Sequence, residues 1–175
     1  MKVLSKNAAI AELQKVKRKF VTQIANEYEH RAKNCLTCDT RGACCLDAHF
    51  VNVHITRLEA ATSNEVIHGL PQAKQTEVRD RIASAIETYN LSAEEDTSGQ
   101  TFACPLFEKD IGCLVHRGGG KPLACIHHGC YEQIEDLPPD ELLEAAMRQV
   151  ERLVEKTYAK PASWLPLPIA LMKSD

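Results

Sequence analysis

Eight cysteines fall in two short segments and nowhere else: Cys35-x2-Cys38-x5-Cys44-Cys45 and, after a long interval, Cys104-x8-Cys113-x11-Cys125-x4-Cys130. Thiols that served only as small hydrophobes would also be spent on core helices. Neither long amphipathic pattern in this chain carries one. Two residues between cysteines let a single turn aim both thiolates at one metal ion. A chain of 175 residues has enough core to fold without staples, and eight thiols in that length fall short of the roughly 8–10% typical of a disulfide scaffold. The opening Met1-Lys2-Val3-Leu4-Ser5-Lys6-Asn7 lacks the apolar stretch of a secretory signal, so the cytoplasm is the expected compartment. Clustered thiols there more often bind metal or do redox chemistry than form disulfides.

Around these segments the pattern is helical. Ile10, Leu13, Phe20, Ile24 and Tyr28 recur at three- and four-residue steps and predict a helix from Ala8 to about Lys33, with Ser5 or Asn7 as cap. Val51, Val53 and Ile55 alternate with polar residues as in a half-buried strand, and Thr56 can cap a helix through about Ile67. Pro71 opens a helix with Val78, Ile82, Ala85, Ile86 and Tyr89 on one face. A polar loop at 92–99 precedes a region, Phe102 to Cys130, read as a hairpin turning near Asp110-Ile111-Gly112 followed by irregular chain. Pro138-Pro139-Asp140 starts a helix striped by Leu142, Leu143, Ala146, Val150, Leu153, Val154 and Tyr158. Pro161, Pro166 and Pro168 predict an extended tail. The expected fold is mainly α with small irregular and β-hairpin elements, helices around a cysteine-rich metal-binding knot. By composition it divides into an N-terminal amphipathic helix (1–34), a cysteine-cluster domain (35–136) and a C-terminal helix with a Pro-containing tail (137–175), together forming one compact unit.

Thiolate-rich sites suit zinc, copper(I) and iron–sulfur clusters alike. Structural zinc sites usually show two short-spaced pairs, whereas the second segment offers spacings of eight, eleven and four. Clusters tolerate ligands from irregular loops, and Cys104-Pro105 echoes the Cys-Pro step of cluster-binding runs. The spacing therefore leans toward a cluster, with zinc as the alternative. Cys44 and Cys45 are adjacent, and adjacent side chains in an extended chain point apart, so both reach one centre only through a kink.

The ordered set of Cys-x2-Cys, a vicinal Cys-Cys, Cys104-Pro105-Leu106-Phe107, Gly112-Cys113 and Pro122-x2-Cys125 resembles the YkgJ-type cysteine-cluster family of zinc- or iron-chelating CxxCxxCC proteins, over about residues 35–130. The chain departs from that pattern in the five residues between Cys38 and Cys44 and in His116-Arg117-Gly118-Gly119-Gly120-Lys121 before Pro122. The resemblance implies metal ligands at Cys35, Cys38, Cys44, Cys45, Cys104, Cys113, Cys125 and Cys130. It implies no catalytic base or substrate pocket, although some relatives are associated with flagellin lysine N-methylation.

His116, His127 and His128 lie within the second segment and read as exposed or supporting polar groups rather than ligands, as do His49 and His54 near the first. Arg117 and Lys121 can donate toward thiolates, and the glycine run reads as a flexible turn, lacking the Ser or Thr of a phosphate loop. Lys15, Lys17, Arg18 and Lys19 read as a solvated helix face: with net charge −3 and no interleaved aromatics, nucleic acid is not an expected partner. The longest apolar run, Trp164 to Met172, carries two prolines and falls short of the roughly 18 residues of a membrane span. The expected function is a cysteine-ligated metal protein holding an iron–sulfur cluster for a redox or partner-assisting role, its partner another protein and its own catalysis absent. The alternative is a structural zinc interaction module. A protein-modifying transferase akin to the flagellin methylases ranks below both.

Overall fold

A computed structural model describes residues 3–34, 37, 38, 40, 42–46, 51–94, 99–116 and 119–174. It is mainly helical, as expected, with two small antiparallel two-stranded sheets. The helices are α1 (Lys6–Glu27), α2 (Arg57–His68), α3 (Gln72–Thr88), α4 (Leu123–His127), α5 (Asp140–Tyr158) and α6 (Leu167–Lys173). The strands are β1 (His54–Thr56), β2 (Phe107–Glu108), β3 (Gly112–Cys113) and β4 (Trp164–Pro166). The chain divides into two compact units, Met1–Arg41 with Pro122–Ala162 and Gly42–Lys121 with Ser163–Asp175.

In the first unit α1 packs against α5 and α4. Ser5 caps α1, its hydroxyl accepting from the Ala8 N–H at 3.3 Å. The helix stops at Glu27, short of the expected Lys33, because Tyr28 leaves helical geometry and the chain tightens into a 3-10 turn at Glu29–Arg31. Ala9, Leu13, Phe20 and Ile24 are buried as the stripe requires, but Lys17 is buried with them, at 2% exposure. The expected solvated basic face is thus incomplete: helical spacing puts Lys17 in the apolar row between Leu13 and Phe20, and only Lys15, Arg18 and Lys19 are exposed.

The second unit has its own apolar core, in which Val51, Ile55, Val78, Ile82, Phe102, Leu106, Val115, Leu167 and Leu171 are buried together. Thr56 caps α2 through a reciprocal pair: the Glu59 N–H donates to the Thr56 hydroxyl and the Thr56 N–H donates to the Glu59 carboxylate, each at 3.3 Å. The tail departs from the extended segment expected. Residues 164–166 pair with β1 (His54↔Pro166, Ile55↔Leu165, Thr56↔Trp164), and α6 follows at once. Pro166 and Pro168 permit this because the cap and the first turn of a helix need no N–H partner there. The glycine run is likewise not loose at its end. Gly120 is buried, its carbonyl accepts from the Ser63 hydroxyl at 2.8 Å, and a Cβ there would press within 3.0–3.3 Å of Val115, Val66 and Ser63.

Candidate metal centre

The hairpin is where the fold brings thiols together. Cys104 precedes β2, and Cys113 lies on β3 opposite Phe107; Asp110 and Gly112 make the turn with φ of 66° and 99°. Both thiols pack against the apolar core. Burial pushes the Cys104 thiol up to about 12, with the backbone N–H groups of Leu106 and Phe107 and the Arg81 charge opposing the rise and the neighbouring Cys113 adding to it. Burial also raises Cys113, opposed by the N–H groups of Val115 and His116 and by the Lys121 charge. The two cysteines open equivalent turns: the Phe107 N–H donates to the Cys104 carbonyl at 3.2 Å and the His116 N–H to the Cys113 carbonyl at 3.1 Å.

Cys44 and Cys45 close a 3-10 turn, Ala43–Cys45, that begins at Gly42 with φ of 85°. The Cys45 carbonyl accepts from the Cys104 N–H at 2.9 Å, which fastens the vicinal pair to the hairpin segment. The turn also answers the difficulty of adjacent ligands, since consecutive side chains in a 3-10 turn diverge by about 120° rather than opposing each other. From α3, Arg81 Nη1 donates to the Phe107 carbonyl at 2.8 Å and Nη2 lies 3.9 Å from Glu108. Among the described residues Arg81 Nε and Nη2 have no hydrogen-bond partner although both atoms are buried. Lys74 holds the other Glu108 oxygen at 3.0 Å and Glu77 at 2.6 Å.

In the first unit the Lys33 N–H donates to the Cys130 carbonyl at 2.8 Å. Its ammonium pairs with Glu132 at 2.8 Å, and that bond, with smaller contributions from the Cys38 and Cys130 thiolates, holds its proton more tightly. Cys38 lies 3.6 Å, sulfur to oxygen, from the Thr40 hydroxyl. Cys125 lies on α4. Cys35, His49 and Arg117 fall outside the described residues.

No disulfide joins any of the seven described cysteines. Nor, among the described residues, do three or more Cys, His, Asp or Glu side chains gather closely enough to hold a metal ion. Thiols suit a thiophilic metal, and two of them, Cys104 and Cys113, lie on the arms of one hairpin. His127 is committed elsewhere: its ring stacks on Phe20, with centroids 6.4 Å apart and planes 4° from parallel, and its Nε2 lies 3.2 Å from the Pro139 carbonyl oxygen. Of the cations near thiols, Lys121 was legible from its place beside the cysteines. Arg81 was not, since only tertiary packing brings α3 to the hairpin. Among the described residues no helix is long and apolar enough to cross a membrane. Comparison with models of known protein families gives no match, and neither does comparison with curated proteins or with solved structures.

Proposed function

We propose that this chain is a cysteine-ligated metal protein whose centre is an iron–sulfur cluster serving a redox or partner-assisting role. One observation carries the reading: Cys104 and Cys113, on the two arms of one hairpin, both pack against the apolar core and each opens a matching tight turn. A thiolate packed against an apolar core needs a cation beside it, and a thiophilic metal supplies one. When bound, the cluster would supply one-electron chemistry.

The chain's own residues would do the rest. Cys104 and Cys113 would each give up a proton on binding, Arg81 and Lys121 would offset the sulfur charge, and Cys44 and Cys45 would turn toward the pair. The irregular spacing after Cys104 favours a cluster over zinc. The resemblance of the cysteine pattern to the YkgJ-type family points the same way, and the reading includes a cytoplasmic setting with another protein as partner.

The test is to purify the full chain anaerobically and count iron, zinc, copper and acid-labile sulfide. Iron with matching sulfide is expected. Zinc without sulfide would replace the cluster by a structural thiolate site, and a metal-free chain would overturn the reading altogether.

A further inference from the structure

Where α2, α3 and α6 of the second unit pack together, they leave a cavity of about 80 Å³. Its floor is apolar: Ile67, Ile82 and Leu171 line it, and each is buried in the core of that unit. Asn64 adds a polar wall, but its amide nitrogen is committed, donating to the Leu171 carbonyl at 3.1 Å and to the Ser174 hydroxyl at 2.9 Å. Those bonds fix α6 against α2 and so hold the cavity's shape.

The rim differs from the floor. His68, Arg79 and Met172 also line the cavity and all three are exposed. No carboxylate is among the lining residues, so the cavity's own ionisable groups carry either no charge or a positive one. Among the described residues the Arg79 side chain has no hydrogen bond or ion pair. A guanidinium with its donors uncommitted at the mouth of an apolar cavity matches a carboxylate, which its planar fork binds through two N–H groups. The apolar floor matches a hydrocarbon tail, the usual division of labour in small-molecule sites. At about 30 Å³ for each water-sized group, the volume admits a tail of roughly three carbons.

We propose that this cavity binds a short-chain monocarboxylate of about four carbons, its carboxylate on Arg79 and its tail against Ile67, Ile82 and Leu171. No cysteine lines the cavity, so this site stands or falls apart from the metal-binding reading.

The test titrates sodium butyrate into the isotope-labelled full chain and follows the amide chemical shifts, with acetate and butylammonium in parallel. Saturable shifts centred on α2, α3 and α6 are expected for butyrate. Acetate, shorter by two methylenes, should bind roughly fifteenfold more weakly, and butylammonium, with the same number of carbons and the opposite charge, should give no saturable shift. Arg79→Gln, at an exposed position that leaves the core untouched, should weaken butyrate about tenfold or more with the thermal midpoint unchanged.

A chain that shows no saturable shift with butyrate, or shows it away from these three helices, overturns the site. Butylammonium binding as well as butyrate, or Arg79→Gln binding butyrate as wild type does, removes the role of the guanidinium and overturns it too. Acetate binding as tightly as butyrate would reduce the site to an anion contact without use of the cavity, which is equally fatal to the proposal.

Discussion

At Gly42 the backbone enters the left-handed region with φ of 85°, and the Phe107 ring occupies the space where a Cβ would project. Gly42→Ala therefore meets two penalties, the αL strain of a residue with a Cβ and the displacement of a ring on the thiol-bearing hairpin. The sum is about 2–4 kcal/mol of lost stability, read as a lower urea midpoint, with a parallel fall in bound metal. An unchanged midpoint would show that the ring moves aside without cost. His127 illustrates how little of the site's chemistry a residue type reveals. Three histidines near Cys113 and Cys125 looked alike in sequence, yet the fold spends this one on Phe20 and Pro139. His127→Ala should lower stability by about 2 kcal/mol through the lost stack and hydrogen bond and leave metal content unchanged; a chain that lost its metal would make His127 a ligand. The matching turns at Cys104 and Cys113 had no signature in the sequence, because backbone geometry rather than residue type makes them.

Elements with strong local rules were legible and those formed by tertiary pairing were not. Thr56 with Glu59 three positions on announces the start of α2, the stripe from Leu142 to Tyr158 gives α5, and Asp110-Ile111-Gly112 marks the hairpin turn. The five-residue α4 is too short to show a period, and β4 exists only because residues 164–166 find β1. The clamp between α3 and the hairpin belongs to this second class: Lys74 bridges Glu77 on its own helix and Glu108 on β2. Its bonds to Glu77 first and Glu108 second raise Lys74 above its ordinary 10.5, so that contribution is present below 10.5 and fades as pH rises through the raised value. The Lys74 bond holds Glu77 below its ordinary 4.5, so its contribution is present above 4.5 and fades as pH falls through the lowered value. The Tm difference between wild type and Lys74→Met should therefore be widest between these limits and close toward both extremes, and it should shrink with added salt because the pair is exposed. A gap that is flat with pH would mean that the lysine acts through its alkyl chain alone.

For the molecule as a whole, the question is whether metal makes the fold or is added to it. In sequence the cysteine-rich stretch from Phe102 to Cys130 reads as a hairpin and irregular chain. Yet Phe102, Leu106 and Val115 are at most 1% exposed and lie in one core with Ile55, Val78 and Leu167. At about 1.5–3 kcal/mol for each buried side chain, those three residues contribute on the order of 5–9 kcal/mol toward holding the second segment in place. The first unit has the packing of α1 on α5 and α4. Small zinc-dependent domains, by contrast, unfold when the metal is withdrawn because little else opposes chain entropy. Treatment of the reduced chain with a chelator should therefore leave the helical circular dichroism nearly intact. The change should be local: the amides of Leu106, Phe107, Val115 and His116, which lie in the turns that follow Cys104 and Cys113, should exchange faster once metal no longer pins those turns. Cooperative loss of helix on chelation would reverse this order of cause and make the metal the organiser of the fold. Faster exchange confined to those four amides, with helices α2, α3 and α5 unchanged, would show a scaffold that stands on its apolar core and holds its thiols ready for metal.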